Sequence, residues 1–373
     1  MAHYVGMQRR TFLTRTAALV AAALPLNLLE ACSGASGPAG GGATPASQSA
    51  APGATGSVKQ FKYGDLKALG DVGIYIAADE GYFAEQGLQV EITSFDSAAN
   101  MVAPLGAGQL DAAGGAISAG LFNAFARNIP MKIVADKGHS EPTPPGFPVS
   151  IFLARKALVD GGQVKSAADL KGRKFGWVAR GISTELDLSA FLKSGGLGVS
   201  DVDLTQMGFP DMVSAFANGA LDACAPPEPF ATNMVGQGTA AVMGYDYQVN
   251  PRNQVAVILY GADFAKSDLA PRFMLAYLRA VRLYNDAFVK KDATARQKVV
   301  AAAVKYSTVK DPALYDKMQL QGLYPDGALN IDSIKDQQEY FLSTGTQQER
   351  VNLDNYIDVH FAQDAAKQLG AYA

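Results

Sequence analysis

The pentapeptide GQLDA at residues 108–112 returns as GALDA at residues 219–223, 111 positions later. Its surroundings return with it: QGLQVEI (86–92) precedes the first copy and GGLGVSDVDL (195–204) the second, at nearly the same distance. Each half reads as a helix, Gly-Leu, a short Val/Ile/Leu strand, a second helix, Gly-x-Leu-Asp-Ala and a small-residue loop. An offset of this length exceeds the roughly 20–50 residues of solenoid repeats. It suits two lobes of one topology, and two such lobes leave a cleft between them.

Strands alternate with helices along both halves, the pattern of a mostly parallel α/β sheet flanked by helices. Lobe one is expected to comprise residues 58–138 and 254–373, and lobe two residues 139–253, with crossovers near 138–148 and 244–254. The stretch GIYIAADEGYFAEQG (73–87) reads as one helix ended by Gly87. SAANMVAPLGAG reads as a helix capped by Ser97 or Asp96. NQVAVILYG (253–261) is a returning strand, and the chain from Ala270 onward is almost wholly helical by pattern. The Asp of each repeated LDA is read as structural, because aspartate serves caps and turns.

At 373 residues the chain accommodates two domains of roughly 100–200 residues each. A hydrophobic content of 48% supplies cores, and a net charge of −3 lacks the concentrated basic surface of a nucleic-acid binder. No nucleic acid is therefore expected as a partner.

The first 31 residues read as a signal peptide. RRTFLTR (9–15) sets paired arginines before the apolar run AALVAAALPLNLL (17–29), which is too short to span a bilayer. The arginine pair with Phe12 and Leu13 is similar to a twin-arginine export signal, with Met7 an alternative start to Met1. LEAC (29–32) resembles a lipobox, which would make Cys32 the lipidated first residue of the mature chain. Residues 32–57, nearly all small residues and proline, cannot bury enough apolar surface to fold and read as a tether. An exported, lipid-anchored protein on the periplasmic or outer face of the cell membrane is expected. With Cys32 modified, Cys224 is the remaining cysteine and reads as a small core residue.

Catalytic signals are sparse. His3 falls in the leader, while His139 and His360 lack metal-ligand spacing. His139 is expected at the surface of a crossover. No Gly-x-Ser-x-Gly elbow or phosphate loop occurs, so no enzyme activity, cofactor or metal is expected.

Four motifs in order, YIAADEGYFAEQGLQVEI, LGAGQLDAA, ADLKGRKFGW and DACAPPEPF, resemble type II periplasmic substrate-binding proteins of ABC importers. The branch is the one serving sulfonate, taurine, nitrate and thiamine-precursor uptake, and the match covers residues 58 to about 240. The resemblance implies a monomer that captures a small molecule (a sulfonate, a pyrimidine, a flavin-like ring or a relative) for an ABC permease and its ATPase. A ligand-presenting sensory lipoprotein shares the same features, and a pyrimidine-synthesis-like enzyme shares the fold. The family's usual Trp before the Glu-Pro pair is Pro227 here, which leaves the ligand class open.

In open α/β sheets ligands lie beyond the carboxyl ends of the strands, where loops enter helix N-termini. Six such loops are expected to meet: 70–75, 95–100, 114–118, 179–185, 209–211 and 226–229. Ser97, Asn100, Ser118 and Asp211 are candidate polar contacts at loop ends. Tyr75 either stacks on a ligand ring or packs in the core. Ser183 and Thr184 serve as a helix cap, as ligand donors, or as both, and Arg180 is an anion clamp or a solvated charge. Glu228, between two prolines, binds a ligand donor or holds the hinge, the former favoured by its position in the family motif. Tyr75, Phe209 and Phe230 favour a flat or apolar ligand body, and Arg180 with the helix starts favours a polar or anionic end.

Overall fold

The computed structural model describes residues 58–143 and 146–373. The signal peptide, Cys32 and the whole tether lie outside the described residues.

The first run of elements is β1 (Lys59–Asp65), α1 (Val72–Asp79), α2 (Tyr82–Glu85) and β2 (Leu88–Ser94). It continues with α3 (Ala99–Gly106), β3 (Ala112–Ala116), α4 (Ala119–Ala126) and β4 (Met131–His139). The second run is β5 (Ile151–Arg155), α5 (Lys156–Asp160), β6 (Lys174–Trp177), α6 (Ser183–Ser194) and β7 (Asp203–Gln206). It closes with α7 (Phe209–Ala217), β8 (Ala223–Cys224), α8 (Phe230–Gly236) and β9 (Ala240–Tyr245). The chain then returns through β10 (Gln254–Gly261), α9 (Ala262–Lys266), α10 (Leu269–Phe288) and α11 (Ala293–Tyr306). It ends in α12 (Ile331–Ser343) and α13 (His360–Leu369).

Two five-stranded sheets result, ordered β2-β1-β3-β10-β4 and β7-β6-β8-β5-β9. Their topologies correspond. In each, four strands share one direction and a single strand, β10 or β5, is inserted antiparallel in the fourth place. The repeated aspartate explains itself in this frame. Asp111 accepts from the Lys62 N–H at 2.7 Å, and Asp222 accepts from the Lys174 N–H at 3.2 Å. Each donates its own N–H to the carbonyl of that same lysine at 2.9 Å. The repeat thus ties β3 to β1 and β8 to β6 at their entering ends, away from the loops that leave the sheets.

Each sheet is covered on both faces. Sheet one packs α1, α10, α11 and α13 on one side and α3, α4 and α12 on the other. Phe273 of α10 sits among Phe61, Tyr63, Phe83, Tyr260 and Phe264, with ring centroids 5.3–6.1 Å away. A buried ring of this kind contributes about 1.5–3 kcal/mol through removal from water. Sheet two is packed likewise, with Phe152 stacked on Phe191 of α6 at 4.0 Å, and Met212, Phe216 and Met234 on the opposite face. Cys224 is buried and free in that second core.

Three local expectations change. The helix expected over 73–87 is two helices, because Gly81 takes φ +76° and breaks the register between α1 and α2. Neither Ser97 nor Asp96 caps α3, whose first residue follows Ala98 without a side-chain cap. His139 is buried, its Nδ1 2.9 Å from Asp136 Oδ2 and its ring stacked on Tyr324. Among the described residues, no helix is long and apolar enough to cross a membrane.

Candidate functional site

The loops leaving the two sheets converge on a cleft of about 820 Å³, its open mouth included. All six expected loops reach it. Sheet one sends Gly70, Ser97–Ala99, and Gly115, Ala116 and Ser118; sheet two sends Ala179, Ile182–Thr184, Phe209 and Pro227. Strand ends and crossovers add Leu66, Lys137, Val149, Ser150, Val255 and Gln321, none of which the sequence singled out.

Four of the nine expected contacts, Ser97, Ser118, Ser183 and Thr184, line the cleft. Ser118 is also the N-cap of α4, its Oγ accepting from the Leu121 N–H at 3.1 Å. Ser183 opens α6, but its hydroxyl is turned toward the Val255 carbonyl at 3.4 Å.

The other five stand elsewhere. Tyr75 is in the core, its hydroxyl donating to Asp65 Oδ2 at 2.6 Å and its ring stacked on Tyr306 of α11. Asn100 is exposed on the first turn of α3, and Asp211 is exposed on the first turn of α7. Arg180 is exposed and does not line the cleft; its charge acts on the Tyr340 phenol instead. Glu228 is buried but faces away, accepting from the Thr232 N–H at 3.0 Å, the Thr232 hydroxyl at 2.8 Å and the Gln319 N–H at 2.9 Å. Those donors consume its oxygens, and burial still holds its carboxyl above the usual range.

The charged group that does reach the cleft is Lys137, near the end of β4. Its Nζ donates to Asp71 Oδ1 at 2.9 Å, and both side chains are at most 2% exposed. Asp71 also accepts from the Tyr63 hydroxyl at 3.2 Å and the Leu66 N–H at 3.0 Å. Burial raises its pKa and Lys137 pulls it back down. The pair fits because residue 114 is glycine: a Cβ there would lie 2.3 Å from Asp71 Oδ1 and 2.8 Å from Lys137 Nζ.

The two sheets meet at the cleft through backbone bonds. The Ala119 N–H donates to the Gly181 carbonyl at 2.7 Å, and the Ser183 N–H to the Ile117 carbonyl at 3.0 Å. On the far side the Leu69 N–H donates to the Glu228 carbonyl at 3.0 Å. Gly181 has φ +67°, and its Cβ position lies 2.9 Å from the Ala119 methyl, so this approach requires glycine.

A second buried cluster lies where the chain crosses between the sheets. Asp246 accepts from the Val149 and Ser150 N–H groups at 3.1 and 2.9 Å. Asp187 of α6 accepts from the side-chain amides of Asn250 and Asn253, each at 2.8 Å. The Asn253 Oδ1 accepts in turn from Ser333 and Gln337 of α12 at 3.1 and 3.0 Å. Burial pushes the Asp187 carboxyl up to about 7, despite the two amide donors, and burial with the Asp187 charge raises Asp246 as well.

Two sheets of corresponding topology, joined by crossovers with a cleft between them, make this the type II periplasmic-binding-protein fold. The NMT1/THI5-like family model matches residues 71–287, more than half the chain, and the protein belongs to that family. A Brucella abortus protein provisionally named a binding protein is 32% identical over 148 residues, which are 40% of this chain and 41% of that one. The chain therefore matches under half the length of this relative. Among solved structures, the alkanesulfonate-binding protein SsuA from Xanthomonas axonopodis pv. citri has a TM-score of 0.64 at 18% identity, covering 82% of this chain and 100% of its own. The periplasmic nitrate-binding protein NrtA from Synechocystis PCC 6803 has a TM-score of 0.67 at 15% identity, with 84% and 89% covered. The desulfurization enzyme DszB, in complex with biphenyl-2-sulfinic acid, has a TM-score of 0.59 at 16% identity, with 83% and 99% covered. These likenesses establish the fold, which binders and an enzyme share.

Proposed function

We propose that the protein is an exported solute-binding lipoprotein that captures a small organic molecule between its lobes and delivers it to an ABC permease. The observation that carries this reading is the cleft itself, lined from both sheets by the loops that leave their strands. Lobe one is taken as residues 58–138 and 254–373, and lobe two as residues 139–253. A binder is favoured over an enzyme because, among the described residues, those lining the cleft include no His, Cys, Asp or Glu. What they offer is hydroxyls, one amide and an ammonium already paired, which suits recognition better than proton transfer.

A thermal-shift screen across sulfonates, nitrate, pyrimidines and flavin-like rings tests the reading. A cognate solute at 100 times its dissociation constant is expected to stabilise the protein by about 2.7 kcal/mol. The same solute should compact the small-angle scattering profile as the lobes close. Binding with an unchanged profile would instead describe a rigid receptor.

Anchoring is expected to depend on Cys32. After expression in a bacterium with the export machinery, wild type should enter the detergent phase and Cys32→Ala the aqueous phase. Aqueous partitioning of both would remove the anchor.

A further inference from the structure

We infer that the cleft takes an uncharged organic molecule with an apolar body and one end that both donates and accepts hydrogen bonds. This deepens the solute-binding reading and rests on it. The body is specified by the walls: Leu66, Ala98, Val149, Ile182, Phe209 and Val255 line the cleft. The polar end is specified by Ser118, Ser150, Thr184 and Gln321, groups that donate and accept. Ser150 Oγ is buried there without a hydrogen-bond partner among the described residues, the condition of a group that a ligand satisfies.

The buried cation at the cleft is already matched within the protein. Among the described residues Lys137 is the one charged residue lining it, and Asp71 neutralises it at 2.9 Å. Asp65, also buried, lies near enough to act electrostatically on Asp71, so the floor holds no surplus cation. The starts of α4 and α6 are spent as well. Ala119 and Ser183 donate across the cleft to the opposite lobe, and Leu121 donates to Ser118. At the start of α6 the buried Glu185 carboxylate occupies the anion position, accepting from the Gly181 N–H at 2.5 Å. Asp71 stands at the start of α1 and Asp211 in the first turn of α7. An incoming anion would lose its hydration and find no unpaired donor cation. A cation fares no better, because no carboxylate is among the residues lining the cleft.

The test is calorimetry and thermal shift on the full chain with probes matched in body and differing in charge. The pairs are benzenesulfonamide with benzenesulfonate, benzamide with benzoate, and hexanamide with hexanoate, with benzylammonium as the cation. The neutral member of at least one pair is expected to bind at least tenfold more tightly than its anion. Tighter binding of the anions or of benzylammonium overturns the inference and leaves the solute-binding reading standing. Failure of every neutral probe also overturns it, and failure of all probes together with the broader solute screen removes both. In a second arm Asp71→Asn leaves Lys137 without its counter-charge and is expected to shift preference toward benzenesulfonate by at least tenfold. A folded variant, verified by circular dichroism, with unmoved preference overturns the charge argument; if it does not fold, the wild-type series decides.

Discussion

Lys137→Met is expected to remove about 3–5 kcal/mol of stability at pH 8, the cost of leaving one member of a buried ion pair alone. Asp71 would then retain only the Tyr63 hydroxyl and the Leu66 N–H, in a site with no exposure to water. Its escape is protonation, since burial already holds its pKa above the ordinary carboxylate range. The loss should therefore shrink as pH falls, a signature that a simple packing defect lacks. Lys137→Met combined with Asp71→Asn is expected to recover most of the loss, because neither charge is then stranded. Urea unfolding of the four proteins at pH 5 and pH 8 measures the cycle. A single-variant loss below about 1 kcal/mol, or strict additivity in the double variant, would mean the pair carries no such coupling.

Raising the pH should weaken the fold through Asp187 and Asp246. Burial pushes the folded carboxyl of Asp187 up to about 7, above the ordinary aspartate range. The folded state therefore holds a proton that the unfolded chain releases. This contribution is complete below pH of about 4 and is lost as pH rises through about 7, at about 1.4 kcal/mol per pH unit for each such proton. The sum for Asp187 alone is on the order of 4 kcal/mol, and Asp246 acts in the same direction. Asp187→Asn preserves an oxygen acceptor for the Asn250 and Asn253 amides and removes the charge. It is expected to flatten the pH profile between 4 and 7 and to raise stability at pH 8 by up to that amount. Parallel slopes for the variant and wild type would show that Asp187 titrates normally.

Much of the architecture was legible because it is written twice. The two LDA aspartates mark equivalent strands, and all six loops expected from the strand–helix pattern reach the cleft. What remained hidden was the direction of side chains. Tyr75 lies in an expected loop-helix junction, but Tyr306, far along the chain, takes its ring into the core. Glu228 is captured by Thr232 and by Gln319, which stands 91 residues downstream, a pairing no local pattern reveals. Arg180 precedes Gly181, and the positive φ of that glycine belongs to an approach between lobes that spacing does not encode. Lys137, inside MKIVADKG, is not among the residues the sequence singles out. A lysine buried in a strand needs a carboxylate partner, and Asp71 at a helix start supplies it.

The backbone bonds that join residues 117–119 to residues 181–183 bear on timing. They use protein groups alone and need nothing in the cleft to complete them. If the cleft takes a solute as proposed, and entry required these bonds to part, the capture rate would be scaled by the fraction of molecules that are open. Departure would then face the same gate, and residence time would follow the opening step more closely than the strength of any single contact. A transporter that recognised the shut form would meet it empty as well as loaded, and would have to tell the two apart after docking.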